Sequence, residues 1–316
     1  GARVKSCSVR NVGTFGVHVV GDDARVIGNQ LVGSADEGVF VEGNDARIEK
    51  NDFRAVLDYA VRVDGARAKV RKNEILRNQR TAVRLDGADH VVVDNEIVDV
   101  DGYGIDLDGP GARIESNEIA YTYGESISVE GGTCEVIDNE LSDALDGYSA
   151  IRIGAGSGAV VRDNEIARVS GSAVFVNDNT FGMTITGNVA DECGDRSAPT
   201  FRIAGTGHLV ADNVAKNGGN DGFRVTGMQH VLLGNRAIGN LVDGIDLQSG
   251  SLYEVRDNKA LRNGGEGIEN SANDVLVRDN VAKKNRIDLA NNNPVNVTFE
   301  ENEFETGGKN TQGELE

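Results

Sequence analysis

Apolar and polar residues alternate in short runs along the whole chain, and the runs recur with one period. Ile105-Asp106-Leu107, Ala112-Arg113-Ile114 and Glu118-Ile119 each step between the two classes every second residue, the pattern of strands with one face in and one face out. No part of the repeat has helical apolar spacing. An asparagine marks the period: Asn29, Asn51, Asn73, Asn95, Asn117, Asn139, Asn164, Asn188, Asn213, Asn235, Asn258, Asn280 and Asn302 follow one another at 22 to 25 residues. Cys7 takes the same slot 22 residues before Asn29, so fourteen turns are visible.

A period in the twenties predicts a solenoid, in which each repeat buries its apolar face only by stacking on its neighbours. Leucine-rich repeats share this period, but their Leu-x-x-Leu-x-Leu frame is missing. Three short strands per turn, glycines such as Gly104 and Gly109 at the corners, and Val, Ile and Leu inside predict an all-β chain. The fold expected is a single-stranded right-handed parallel β-helix of about 14 turns of 22–25 residues. There each residue falls above its counterpart one turn away at ~4.8 Å. The asparagines should then form an internal ladder, amide to amide, at a tight bend.

One unbroken repeat predicts one β-helix domain over 1–304, followed by a loose tail over 305–316 where the pattern is lost. The chain opens inside a turn, at Ala2-Arg3-Val4-Lys5-Ser6-Cys7, which reads as a fragment or processed form. A bare first turn exposes strand edges, so an upstream segment, a second copy or a larger assembly is expected to cap it. No run of about 18 apolar residues exists to span a membrane.

The formal net charge of −19 and pI near 4.6 argue against nucleic acid, because phosphate binding needs a basic surface. A dense acidic surface repels itself in dilute buffer and is tolerated when salt screens it, so a halophilic source fits, as does an ordinary acidic exported protein. Cys7, Cys134 and Cys193 lie in different turns and give no disulfide framework; Cys7 and Cys134 read as small buried residues. His90, His208 and His230 share one slot at the start of the second strand, which predicts a structural corner role.

The middle residue of the first strand forms one outward row: His18, Phe40, Arg62, Arg84, Asp106, Ser128, Arg152, Phe175, Arg202, Arg224, Asp246 and Glu269. Its arginines read either as solvated positions, with Arg84 beside Asp106 and Arg224 beside Asp246 as weak ion pairs, or as a groove for an anionic polymer. Arginine offers a fork matched to carboxylate or sulfate. Arg62, Arg84, Arg202, Arg224, Asp246 and Phe175 are the candidate substrate-binding positions. Asp99, Asp101, Asp106 and Asp108 bracket one corner, and Asp243 and Asp246 lie beside Asp221 and Arg224. Ca2+ is the cofactor such oxygen-rich clusters could hold, with solvated loop carboxylates as the plainer reading; no residue is assigned as a metal ligand.

The repeats Asp94-Asn95-Glu96-Ile97 and Gly104-Ile105-Asp106-Leu107 resemble, over nearly the whole chain, the β-helix superfamily that includes the carbohydrate-binding and sugar-hydrolysis repeats of NosD-like proteins. Within it, Tyr103-Gly104-Ile105-Asp106-Leu107-Asp108 is similar to the Tyr-Gly-Phe-Asp-Pro-His motif of mannuronan C5-epimerases, and Arg152 lies two turns on where those enzymes carry a basic residue. The resemblance implies abstraction of the proton next to a uronate carboxylate. That chemistry needs a cation on the carboxylate, a base on one face of the sugar and an acid on the other. Carried over residue by residue, Tyr103 is the acid or base, Asp106 binds or polarises the carboxyl group, and Arg84 or Arg152 pairs with it. Asp108 stands where the family has histidine, and aspartate is a weak base at neutral pH unless its pKa is raised. The catalytic candidates are thus Tyr103, Asp106, Asp108 and Arg152.

Three function classes stay open: an extracellular or surface enzyme on acidic polysaccharide, of epimerase or lyase type; a non-catalytic glycan-binding module using the same row, with Phe40 and Phe175 stacking on sugars; and a structural or adhesive stalk such as a cell-surface or virion spike. An aromatic content of 5% without Trp argues against strong neutral-sugar binding, and short uniform corners argue against a deep pocket.

Overall fold

A computed structural model describes residues 1–292 and 294–306 and the backbone of 309–310. The chain divides into two compact units, residues 1–154 and 155–316. Within each, strands pair in parallel one turn apart and the described residues contain no helix. No helix is therefore long and apolar enough to cross a membrane.

In the first unit the turn built on Asn95 and Asn117 typifies the coil. Its strands are Ile105–Asp108, Ala112–Glu115 and Glu118–Thr122, the three runs read from the alternation. Ile105 pairs with Val83 above and Ile127 below. Ile105, Leu107, Ile114 and Ile119 are fully buried, and each such side chain contributes roughly 1.5–3 kcal/mol of burial. Because neighbours lie one period apart, the inward positions stack into continuous apolar columns.

The asparagine ladder is present as expected. In the first unit Asn29, Asn51, Asn73, Asn95 and Asn117 each donate Nδ2–H to Oδ1 of the next asparagine at 2.9–3.0 Å. The same Oδ1 accepts the backbone N–H of the preceding asparagine, as Asn95 does from Asn73 at 3.0 Å, and the second Nδ2 proton reaches a backbone carbonyl, Val70 for Asn95. Both ends of each side-chain amide are thereby satisfied. The residue before each rung adopts the left-handed conformation, for instance Asp94 (φ 57°), Asp138 (φ 53°) and Asp212 (φ 55°). Most L residues pay about 1–2 kcal/mol there, and Gly, Asn and Asp tolerate it best, which accounts for the recurrent Asp-Asn pair.

The second unit repeats the ladder from Asn164 through Asn188, Asn213, Asn235, Asn258 and Asn280 to Asn302 at 2.8–3.0 Å. It adds a second ladder at another bend, Asn240 to Asn263 to Asn285, closed by Asp288, which accepts Nδ2 of Asn285 at 2.9 Å. Asp288 also accepts the backbone N–H groups of Glu305 and Thr306. The remainder of the expected tail, residues 307–308 and 311–316, lies outside the described residues. Phe201 and Phe223 stack inside the coil at 4.8 Å between ring centres.

The corner histidines are structural. His90, His208 and His230 are buried, and each Nδ1 accepts a backbone N–H from the turn above, of Ala68, Met183 and His208 respectively. Burial lowers all three pKa values. Cys134 and Cys193 are buried. Cys7 departs from expectation and is exposed, although its backbone N–H donates to Asn29 Oδ1 of the next turn at 2.9 Å.

Candidate functional site

Two outward rows meet at the corner that leads from the third strand of one turn into the first strand of the next. One is the first-strand row already named. The other lies two residues ahead of each first strand and contains Tyr103 and, one turn on, Glu125. In the first unit these rows bring together Tyr103, Glu125, Asp106, Asp108, Arg84 and Arg152.

Gly124 shapes the corner: a side-chain carbon there would stand 2.3 Å from Cδ1 of Tyr103, so the bare backbone lets the tyrosine ring lie across it. Tyr103 and Glu125 occupy the same slot one turn apart, near enough for each to act on the other's titration. Glu125 is only 8% exposed, and its Oε2 has no hydrogen-bond partner. Burial raises its pKa, against the pull of its own backbone amide and of Arg152. Burial likewise raises Tyr103, helped by the negative charges of Glu125 and Asp106. It also raises Asp106, outweighing the opposing hydrogen bond and charge of Arg84.

The two arginines hold different carboxylates. Arg84 binds Asp106 and Asp86, with Asp108 3.7 Å away. Burial would lower its pKa, and the hydrogen bonds of Asp86 and Asp106 more than reverse that. Arg152 pairs with Glu130, a rim carboxylate 41% exposed, and it also feels Glu125 and Tyr103. An exposed pair is worth about 0–1 kcal/mol and is readily exchanged. Arg62, one turn before Arg84, forks onto Asp64 at 3.0 and 3.1 Å, reaches Glu37 at 3.4 Å and covers the Phe40 ring at 4.8 Å.

The second unit gathers the other candidates at the equivalent corner. Arg224 forks onto Asp221 at 2.6 and 2.9 Å and stands 3.4 Å from Asp246. The Glu266 N–H donates to Asp243 at 2.6 Å, and the Asp243 N–H to Asp221 at 3.0 Å. Asp221, Asp243 and Asp246 were read as solvated loop carboxylates; they are in fact buried, 1–5% exposed, because the corner row turns its carboxylates back onto the backbone. Burial pushes Asp246 up to about 7, assisted by Asp221 and Glu269. Burial raises Asp243 as well, and its neighbour Glu266 is lowered, the hydrogen bonds from Asp243 and Arg286 outweighing its own burial. Oxygens of Asp221, Asp243 and Asp246 lie within 4.8 Å of one another, a donor set suited to a hard cation such as Ca2+, with Arg224 already paired to Asp221 and Asp246. Asp99, Asp101 and Asp108 in the first unit are exposed. Arg202 covers the Phe175 ring at 4.8 Å, so that ring is not bare.

A sequence model of the right handed beta helix region matches residues 1–108, 59–198 and 197–311. The chain belongs to the right-handed β-helix family. Solved structures similar to this β-helix include the periplasmic alginate epimerase AlgG, 12% identical over 91% of this chain and 78% of that one, with a TM-score of 0.51. Another is the catalytic unit of a thermostable GH87 α-1,3-glucanase from Streptomyces thermodiastaticus strain HF3-3, 13% identical over 98% and 63%, with a TM-score of 0.56. A third is the alginate lyase AlyF-OU02 in complex with G6, 11% identical over 92% and 80%, also at 0.56. At such identities the likeness is one of fold. Among curated proteins none matches the chain in sequence.

Glu125 is the residue of this β-helix that the sequence reading missed. It sits 22 residues after Tyr103 in the same slot, so reading the corner row turn by turn, as was done for the strand row, would have found it.

Proposed function

We propose that this β-helix binds an acidic polysaccharide outside the cytoplasm and modifies it at the Tyr103 corner, by removing the proton next to a uronate carboxylate in C5-epimerase or lyase fashion. The observation that carries the reading is that Tyr103 and a buried, incompletely bonded Glu125 carboxyl occupy one corner slot in successive turns, near Arg152 on the adjoining row. A general acid or base must stand within reach of the proton it moves, and Tyr103 and Glu125 are two such groups on one corner. Arg152, whose rim partner is exposed, is the cation better suited to a substrate carboxylate. Arg84 instead holds Asp106 in place. Asp108 has no part in the transfer and lies at the rim. The fold shared with an alginate epimerase and an alginate lyase supports the reading by analogy only.

The test is proton NMR of polymannuronate, with other acidic glycans in parallel, after incubation with the wild type, Tyr103→Phe and Asp106→Asn at high salt. Epimerised or unsaturated product that disappears in both variants is the expected result. Unchanged polymer without line broadening would overturn the reading and leave the stalk as the better account.

A further inference from the structure

The chain has six tyrosines, and Tyr103, Tyr123 and Tyr148 all occupy one corner of three successive turns. These corners are the segments 101–104, 123–126 and 145–150, each linking a third strand to the next first strand. The third is the longest, and it carries Tyr148. Position in the coil fixes the rest: the Tyr123 N–H binds the Val100 carbonyl of the turn above, and the Tyr148 N–H closes a tight turn onto Leu145.

The three rings are unequal. Tyr103 is half-buried and meets Tyr148 edge to face, with ring centres 6.5 Å apart and planes at 67°. Tyr123 and Tyr148 remain 44% and 39% exposed. An exposed tyrosine offers an apolar face with a polar tip, the form suited to a ligand that is apolar on one side and wet on the other. On the same corner as Tyr123, two residues on in the chain, the Glu125 carboxyl has Oε2 unpartnered and enclosed, and the residue is more than nine-tenths buried. Leaving such a group without a partner costs about 1–3 kcal/mol, and Tyr103, Arg152 and Asp106 are near enough to act on it electrostatically.

We infer that this corner is a saccharide-binding subsite, in which Tyr123 and Tyr148 present ring faces to a pyranose and the Glu125 carboxyl, turning outward from its buried position, accepts a hydroxyl hydrogen bond from the same sugar. A pyranose matches both features: its C–H face is apolar and its rim is lined with hydroxyl donors. The subsite adjoins Tyr103, so the sugar it holds is the one reacting there or its immediate neighbour. It rests on the reading that the ligand is a polysaccharide, and it adds where along the coil that polymer is gripped. It also revises the expectation from composition, since few aromatic residues suffice when three of them share one corner.

The test is calorimetric titration of the whole chain with a mannuronate hexasaccharide and, as a neutral counterpart, a glucose hexasaccharide. Tyr123→Ala and Tyr148→Ala are each expected to weaken binding about tenfold, the size of one aromatic contact, whereas Tyr123→Phe and Tyr148→Phe stay within about threefold because the ring is kept. Glu125→Ala weakens binding while Glu125→Gln, which still offers a hydrogen-bonding oxygen, loses less. Tyr121→Ala, an exposed ring on the third strand, leaves affinity unchanged, and circular dichroism confirms that each variant is folded. Wild-type affinity in both alanine variants, with binding lost in Asp106→Asn, would place the sugar elsewhere on the row and overturn the subsite alone. Absence of binding by the wild type to either hexasaccharide would overturn the polysaccharide reading, and the subsite with it.

Discussion

Arg84 and Asp106 face each other across one turn of the coil and share a hydrogen bond, with Asp86 and Asp108 gathered on the same guanidinium. Removing the arginine leaves three carboxylates facing one another on a partly buried surface. Arg84→Ala is expected to destabilise the first unit by about 1–3 kcal/mol, read as a lower urea midpoint. Adding Asp106→Asn to that variant should restore part of the loss, since one of the stranded charges is removed. Additive losses in the double variant would show that the pair is not coupled.

The buried carboxyls of the second unit predict an unusual pH dependence. Asp246 holds its proton to about 7 in the folded chain, against an ordinary value near ~3.9 when unfolded. Between those values the folded state binds more protons than the unfolded one, so the contribution is fully present below ~4 and is lost as pH rises through about 7. Asp243 acts in the same direction. Asp246→Asn, which mimics the protonated form, should flatten the decline in melting temperature between about pH 4.5 and 7.5 and be about 1–3 kcal/mol more stable than the wild type at the upper end. A wild type equally stable across that window would contradict it.

The ladder makes a prediction that depends on position. Asn95→Ala strips the acceptor from both N–H groups of Asn73 and removes the side-chain donor to the Val70 carbonyl, a loss of about 2–4 kcal/mol in a buried site. Asn302, the last rung among the described residues, is only half-buried and receives hydrogen bonds from Asn280. Water can replace it, so Asn302→Ala should cost less than half as much in urea unfolding.

Cysteine labelling separates the three thiols. Burial pushes Cys134 and Cys193 up to about 12, and a thiol reacts as its thiolate. Iodoacetamide under native conditions at neutral pH should therefore add a single group, on Cys7, and mass spectrometry after unfolding in excess reagent should find three.

The fold was legible because its determinants repeat. Asn95 needs a rung above and below, Ile105 needs a column, and Asp94 needs a left-handed backbone, and each requirement recurs every 22 to 25 residues. The site was legible only where it too followed a row already being read, as with Arg84 and Asp106. Glu125 was not, because its burial comes from packing at a corner that the two-residue alternation does not describe. The same holds for Asp221, Asp243 and Asp246, whose acidic spacing looks solvated until the corner backbone is seen to receive their hydrogen bonds.

The parallel register makes the electrostatic neighbours of a surface residue lie a full turn away in sequence, as Arg84 lies from Asp106. Gain or loss of one turn by recombination would keep every apolar column intact and yet replace the partners on both sides of the junction. Such a chain can exchange the chemistry of a site in one genetic event without first disturbing its core, and point mutation within a turn then only refines what the slippage has juxtaposed.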